Sequence, residues 1–574
     1  MRYELIKGSA NDTSSPIETI LANRGIENCK KYMSLSEDDI EPYDHLDNIN
    51  DAVGCFVEHF EAGDPVGILV DTDTDGICSA TIMAKYIWSL KKDYPVHLIV
   101  HQKNKAHGLE SQDFEIPDDI KLIIIPDSSS NDIDECQALI DSGINIITAD
   151  HHEKSDPREY PGILINNQTS ISYYNKAACG THITWDFLRA LDEYYWEDYA
   201  SQFIDLVALA NIADVMNIKS ESTRATINVG LQNIHNKMFE ELVKSQGFSM
   251  KGHVNPHTIA FCIAPQINAF LRLATFEERE LLVRAFCEDE SETFEYTKRG
   301  ESFPTEENIY EHMARLMTSY RGKQNRSRDK SVKLLLDKAY ECENDKVAII
   351  DATNEIDQSL TGLVAIRISE VINKPTLLVR RHGDELAGSG RAFNNCPIED
   401  FRALTERCPY ITLAQGHNAA FGTALLAENL ENVREWFNEK LDSVNMDKVY
   451  AVDFILDMND LDISFIQTID KYQDLWGQGL SEPLVAIENI TIKRSDTHVQ
   501  GKNFDSIAFT INDIKYVLFK LPESDPLLEW ASAWEDDGED ITISVVSKVG
   551  LSEYKGVYTP QCTIEEYTIQ NERT

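Results

Sequence analysis

Between residues 65 and 215 the chain carries five short runs, VGILV, VHLIV, KLIIIPD, INIITAD and GILIN. They are apolar nearly throughout and rich in β-branched residues, the pattern of strands buried on both faces. Helix-like segments separate several of them. The predicted unit is therefore a parallel sheet with helical crossovers. In such a sheet the carboxyl ends of neighbouring strands gather along one edge, where open α/β folds place their sites.

The residues that follow these runs are acidic. ILVDTDTDGICSA puts Asp71, Asp73 and Asp75 at every second position straight after the first run. Residues two apart on a strand face the same way. Three such carboxylates repel one another unless water or a cation lies between them. Gly76 is read as a tight turn into the helix ICSATIMAKYIWSL. Later runs end similarly, at Asp127 in PDSSS and at Asp150, His151 and His152 in ADHH, and ANIADVM carries Asp214. One acidic loop or one histidine pair is ordinary solvated surface. Four such elements at successive strand ends point to a metal site. Aspartate with histidine is a ligand set for Mn²⁺ or Mg²⁺, and the lack of thiolates argues against structural zinc. Two ions bridged by one carboxylate can activate water and stabilise the leaving oxygen of a phosphoester.

Composition sets limits on partners. A net charge of -44 makes the chain a poor general binder of phosphate backbones, so a nucleic-acid partner needs a local basic patch. The run YRGKQNRSRDKSVK supplies one, with Arg321, Lys323, Arg326, Arg328, Lys330 and Lys333 against Asp329. On a helix these spread into a collar that can guide a strand, although a solvated linker has the same composition. The eleven cysteines are scattered with no C-x-x-C pair, which predicts a reducing cytoplasm. No apolar run approaches the roughly twenty residues of a membrane span, and no membrane partner is expected.

Beyond residue 215 the chain changes character twice. Residues 216–340 read as mostly helical, including TFEERELLVRAFCEDESETFEY. A second α/β signal starts at KVAIIDAT, with a helix near 360–373 and then PTLLV. After 450, alternating runs such as SIAFTI, IKYVLFKL and ITISVVSKV predict a small β-barrel. Tyr516 and Phe519 are its candidate aromatics, at least one of them core. WEDDGED reads as an exposed acidic loop.

DTDTDG, PDSSS, ADHH and ANIADVM, in this order and spacing, resemble the four motifs of the DHH phosphoesterase superfamily. FCIAPQINAFLRL resembles the helical segment after the catalytic domain in its RecJ branch of single-stranded-DNA exonucleases. GLVAIRISEVINKPTLLV, GSGRAF and QGHNAAFG resemble the DHH-associated domain. LWGQGLSEPLVAIENI and LSEYKGVYTPQCTIEEYTI resemble the ends of that branch's oligonucleotide-binding (OB) barrel. The resemblance implies a multidomain α/β fold: a parallel-sheet catalytic domain (1–235), a helical linker (236–340), a DHH-associated α/β domain (341–445) and an OB-like β-barrel (446–574). It implies hydrolysis of single-stranded DNA with two divalent cations, Mn²⁺ or Mg²⁺, in the 5′→3′ direction with release of mononucleotides, in DNA repair and recombination. The alternatives are a superfamily phosphodiesterase for short oligoribonucleotides or cyclic dinucleotides, and a non-catalytic replication scaffold. The linker and barrel speak against the first, and the intact ligand set against the second. A DNA-replication or repair protein is a further candidate partner, although no motif names one.

By the same resemblance Asp73 and Asp75 each hold a different ion and Asp127 bridges the two. His151 and Asp214 complete the second ion's shell, and His152 lies near the scissile phosphate. Asp150 orients a histidine, and Asp71 is a candidate ligand or hydrogen-bond partner. Arg391 and Ser389 in GSGRAF, with Gly416 and His417 in QGHNAAFG, match phosphate-gripping positions, where glycines let backbone N–H groups approach an anion. Lys103, His107 and Arg272 are further strand-contact candidates. Departures from the family pattern fall at Gln266, where arginine is usual, and at Phe270, Leu271, Gln415 and Asp357. They touch substrate grip, not the metal ligands.

Overall fold

The computed structural model describes every residue except 7–10, 104–105, 299, 534–539 and 571–574. Two compact units make up the chain: residues 30–322 with 474–481, and residues 1–29 with 323–473 and 482–574. The acidic run expected as a loop at 534–540 lies, apart from Asp540, outside the described residues.

In the first unit the five apolar runs form β1 (Val66–Val70), β2 (Val96–Val100), β3 (Leu122–Pro126), β4 (Asn145–Asp150) and β5 (Ile163–Asn166). All pairings are parallel, in the order β2-β1-β3-β4-β5. Every residue of β1 and β3 is buried. The order reverses between β1 and β3, the switch point of a doubly wound sheet. Segments leaving β1, β3 and β4 therefore share one edge. Helix α1 (Thr74–Leu90) follows β1, and both α2 (Gly180–Tyr195) and α3 (Ile204–Ala213) pack against it. α3 is buried from Ile204 to Ile212, as suits a helix apolar on all sides. α4 (Ala264–Leu273) follows a π turn at Ile259–Ile263.

A strand pair interrupts the helical stretch after 215. Helix Phe276–Phe286 ends just before Glu288, which adopts φ +63°, and SETFEY contributes strand Thr293–Tyr296, paired with Thr305–Asn308. Helix α5 (Ile309–Glu341) then runs from the residues of the first unit into those of the second. Met313 and Met317 are buried in its first half, and Val332, Leu335 and Ala339 in its second. Lys323, Arg326 and Lys330 between them, and Lys333 just after Val332, are exposed.

The second unit holds two sheets that matter here. β6 (Ala348–Asp351), β7 (Thr376–His382), β8 (Glu385–Arg391), β9 (Ile411–His417) and β10 (Ala420–Leu426) form one, in the order β9-β10-β8-β7-β6. Helix α6 (Thr361–Ile372) connects the parallel pair β6 and β7. One face packs Ile350 and Leu378 against Val364, Ala365 and Ile368 of α6. The other packs Leu377, Val379 and Phe421 with Phe401 and Phe437. β11 (Phe454–Asp457), β12 (Val485–Ile492), β13 (Thr497–Gln500), β14 (Ser506–Ile511), β15 (Ile514–Leu518), β16 (Ile541–Tyr554) and β17 (Val557–Ile569) form the second sheet, ordered β11-β12-β16-β17-β15-β14-β13. Tyr516 is core, stacked on Phe509 with ring centroids 5.1 Å apart, whereas Phe519 is exposed.

Residues 1–29 group with this second unit, although a first domain running from residue 1 would have counted them with the parallel sheet. The physical reason is edge pairing plus a buried ion pair. Strand Arg2–Leu5 adds in parallel to Val449–Val452. Arg24 grips Asp453 through Nε at 2.8 Å and Nη2 at 2.7 Å, and Leu484 N–H donates to the same carboxylate at 3.0 Å. Asp453 is fully buried, so removing it strands a nearly buried guanidinium. Asp453→Ala is expected to destabilise this unit by about 3–5 kcal/mol, read as a lower urea midpoint. An unchanged midpoint would show that residues 1–29 are not anchored by this pair.

Candidate metal centre and phosphate-binding face

The strand β1 stops at Val70, so Asp71, Asp73 and Asp75 do not alternate on a strand. They wrap the start of a helix instead. Asp73 caps α1, its Oδ1 accepting from Gly76 N–H at 2.9 Å. Asp75 sits in the first helical turn. Gly76 is likewise helical, not a turn residue; a Cβ there would lie 2.5 Å from the Asp71 Cβ. Glycine is required for that close approach.

Asp75 is the most heavily bound carboxylate of the group. Gly180 N–H donates to Oδ2 at 2.7 Å, and Thr181 donates to Oδ1 from its N–H at 2.8 Å and its hydroxyl at 2.5 Å. The N-terminus of α2 thus points its free N–H groups at Asp75. Burial alone would raise this acid, but the charge of His151 and the Thr181 hydrogen bonds outweigh it and hold Asp75 low.

The other acids lack such compensation. Asp127 is buried, takes φ +65°, and its Oδ1 has no hydrogen-bond partner among the described residues. Burial, reinforced by the charges of Asp75, Asp73 and Asp71, pushes Asp127 well above the carboxylate range. Asp214 follows the last residue of α3, and Val215 beside it holds φ +61°. For a β-branched residue that backbone is strained, and such strain clusters at functional sites. Burial and the charges of Asp75 and Asp73 push Asp214 up to about 8. Asp73 is exposed, yet partial desolvation by its neighbours, with the charges of Asp71 and Asp75, pushes it up to about 6.

Imidazoles close over the acids. His151 Nε2 lies 3.3 Å from Asp127 Oδ1, 3.5 Å from Asp214 Oδ2 and 3.8 Å from Asp75 Oδ2. His152 Nδ1 is 2.8 Å from Asp150 Oδ1, while Asp150 also accepts from Ser130 N–H at 3.1 Å and His151 N–H at 2.7 Å. Partial desolvation would lower His152, but its bond to Asp150 and the surrounding carboxylates outweigh this and push it up to about 9. The ring of His107 bonds Asp71 through Nδ1 and meets His152 edge-on, with centroids 5.1 Å apart.

Two groups of ligand atoms result, Asp75–His151–Asp214 and Asp127–Asp150–His151–His152, each with all atoms within 4.8 Å of one another. Oxygen and imidazole donors in this arrangement suit Mn²⁺ or Mg²⁺. The donor-free Asp127 Oδ1 is what a cation would satisfy. Asp73 stands outside both groups, turned to its own helix N-terminus. Of the remaining candidates, Asp73 acts electrostatically on Arg272, whereas Lys103 donates its backbone N–H to Asp113 at 2.6 Å. Gln266 is committed to packing, its Nε2 donating to Cys262 O at 2.9 Å and its Oε1 accepting from Thr318 at 3.0 Å. Gly180 and Thr181, which hold Asp75, were missed in the sequence. Their only signal was a small-residue pair opening a helix.

In the second unit, Arg391, Ala420 and His417 share one row across β8, β10 and β9, and Ser389, Gly422 and Gln415 share the row two residues along. All six side-chain positions therefore lie on one face. Arg391 Nη1 donates to Gly390 O at 2.7 Å and Phe421 O at 3.2 Å. A Cβ on Gly362, at the start of α6, would come 2.6 Å from Arg391 Nη2. Gly416 holds φ +134°, which favours glycine.

Comparison with known proteins matches this architecture. Residues 65–211 fit the DHH family N-terminal domain, and residues 452–566 fit the RecJ OB domain. The chain is 34% identical to the "Putative SPbeta prophage-derived single-strand DNA-specific exonuclease YorK" of Bacillus subtilis (strain 168), over 100% of this chain and 99% of that protein. It is 22% identical to the Single-stranded-DNA-specific exonuclease RecJ of the same organism, over 96% of this chain and 68% of that one. The crystal structure of RecJ in complex with Mn²⁺ from Thermus thermophilus superposes with a TM-score of 0.71 at 18% identity, covering 96% of this chain and 75% of the other. The fold is thus a parallel-sheet DHH domain joined to a helical segment, a second α/β domain and an OB-type barrel. The chain belongs to the RecJ family of DHH-domain proteins.

The crowding at Asp127 yields a direct expectation. A Cβ on Gly180 would lie 2.5 Å from the Asp127 Cβ. Gly180→Ala is expected to weaken Mn²⁺ binding about 10–100-fold, measured by titration calorimetry, with the far-ultraviolet circular dichroism spectrum retained. Unchanged affinity would remove Asp127 from the ion's shell.

Proposed function

We propose that this chain hydrolyses phosphodiester bonds of single-stranded DNA from the 5′ end, releasing mononucleotides, with two divalent cations, Mn²⁺ or Mg²⁺. The observation that carries the reading is the pair of ligand groups sharing His151, in a chain 34% identical along its whole length to a protein named as a single-strand DNA-specific exonuclease. Asp73 and Asp75 are assigned one ion each, Asp127 the bridge, and His151 with Asp214 the second ion's shell. When bound, the cations supply Lewis-acid stabilisation of charge on the phosphoryl oxygens and activation of water.

The chain's own groups do the rest. Asp150 fixes Nδ1 of His152, so Nε2 is left to face the scissile phosphate. The Gly180 and Thr181 N–H groups keep Asp75 ionised for its ligand role. Arg391, Ser389, Gly416 and His417 are assigned to grip the strand's phosphates, with Arg272 and Lys103 as further contacts. Lys323, Arg326, Lys330 and Lys333, exposed on α5, give a backbone-tracking surface. The division into domains at 1–235, 236–340, 341–445 and 446–574 belongs to this reading. So does a cytoplasmic setting in DNA repair or recombination, supported by eleven unpaired cysteines. Among the described residues no helix is long and apolar enough to cross a membrane. Contact with a DNA-replication or repair protein is supported by the acidic charge of the chain alone.

Digestion of end-labelled single-stranded DNA with Mn²⁺ tests this, with the 5′ and 3′ ends blocked in turn. Mononucleotides are expected from an open 5′ end only, lost on chelation and in the Asp75→Ala, His151→Ala double variant. Hydrolysis of dinucleotides without cleavage of long DNA would keep the metal centre and move the function to small substrates.

A further inference from the structure

Asn211 sits in the last turn of α3, three residues before Asp214, and is fully buried. Its Oδ1 accepts from Cys179 N–H at 3.3 Å. Its Nδ2 donates to Val207 O at 2.9 Å and to His182 Nδ1 at 3.3 Å. An amide turned the other way would set Nδ2 against an N–H and Oδ1 against a carbonyl, so the hydrogen bonds fix this orientation. His182 is fully buried as well, one residue after Thr181. One side chain thus ties the first turn of α2 to the last turn of α3.

Both ends of this tie lead to ligand atoms. Cys179 is the N-cap of α2, and the next two residues, Gly180 and Thr181, clamp Asp75 with their N–H groups. Gly180 also packs so close to Asp127 that a Cβ there would lie 2.5 Å from the Asp127 Cβ. On the other side α3 ends at Ala213 and delivers Asp214. Asp75 and Asp214 share one ligand group with His151, its atoms within 4.8 Å of one another. Carboxylates this close repel each other, and burial with the charge of Asp75 already disfavours an ionised Asp214. A fixed spacing between them therefore needs a brace in the backbone elements that set it, and Asn211 bonds to both α2 and α3.

We propose that Asn211 is a positioning residue that fixes the gap between Asp75 and Asp214, and through that gap sets how well the site holds Mg²⁺ relative to Mn²⁺. This rests on the reading of these residues as a metal centre. Selectivity between divalent ions is achieved by geometry more than by raw affinity. Mg²⁺ is small and demands near-ideal octahedral geometry. A gap free to widen therefore costs Mg²⁺ more than the larger Mn²⁺.

The test titrates Mn²⁺ into the full chain by calorimetry and measures Mg²⁺ by its displacement of Mn²⁺. In Asn211→Ala the affinity for Mn²⁺ is expected to fall about tenfold, the low end of the range for residues that orient metal ligands. The affinity for Mg²⁺ is expected to fall about a further tenfold. Hydrolysis of single-stranded DNA at saturating Mn²⁺ is expected to keep kcat within about threefold of the parent, because excess ion refills the site. Asn211→Thr keeps a hydroxyl that can bond the carbonyl four residues back, and is expected to lie between the parent and Asn211→Ala in its Mg²⁺-to-Mn²⁺ affinity ratio. Thermal melting in EDTA identifies the variants that fold, and Asn211→Thr decides the matter if Asn211→Ala does not. A parental affinity ratio in every variant that folds would overturn the proposal, whether both affinities are kept or both fall equally. A kcat that stays low at saturating Mn²⁺ would also overturn it. Binding of neither ion by the parent would overturn the metal-centre reading as well.

Discussion

Mutual repulsion among crowded carboxylates is the constraint on which this structure turns. The switch point of the parallel sheet brings Asp71, Asp73, Asp75 and Asp127 together, with Asp214 delivered by the end of α3. Only Asp75 is fully compensated, by the N-terminus of α2 and by His151. Asp73 and Asp214 are pushed up to about 6 and about 8. The folded chain therefore binds more protons than the unfolded one between the ordinary carboxylate range and about pH 8. Without a cation, these two acids cost stability as pH rises through that window. A divalent ion reverses the sign, because it takes the place of the protons and couples binding to folding.

The surroundings are arranged to tolerate that crowding. α1 and α2 direct their N-terminal N–H groups at Asp73 and Asp75, Gly76 and Gly180 remove the methylenes that would collide with Asp71 and Asp127, and positive φ values are accepted at Asp127, Ser129 and Val215. The face of the second unit that carries Arg391 is built differently: β8 and β10 place Ala387, Ser389, Ala420, Gly422 and Ala424 on it, and Gly362 of α6 comes close enough to Arg391 that a Cβ there would lie 2.6 Å from its guanidinium.

Much of this was legible because periodicity and motif order are local. The five strands, the acids at their ends and the His151–His152 pair follow from runs of five to seven residues. What stayed hidden depends on contacts remote in sequence. Thr181 reaches Asp75 across 106 residues. His107, a strand-contact candidate by resemblance, also bonds Asp71, which lies 36 residues earlier. The three opening aspartates looked like one face of a strand, but the strand ends at Val70 and helix geometry gathers them. Residues 1–29 carry no composition that marks them as partners of the later unit; the bidentate Arg24–Asp453 pair, the edge strand and the Asn11–Ile455 hydrogen bonds reveal it. Tyr516 and Phe519 illustrate the same limit. An alternating strand declares two faces without saying which one is buried.

An anomalous-difference map at the manganese edge, from crystals grown with Mn²⁺, tests the central claim most directly. The account predicts two peaks flanking Asp127, one reached by Asp75, His151 and Asp214. No peak at the edge shared by β1, β3 and β4, or a lone peak remote from Asp127, would contradict it.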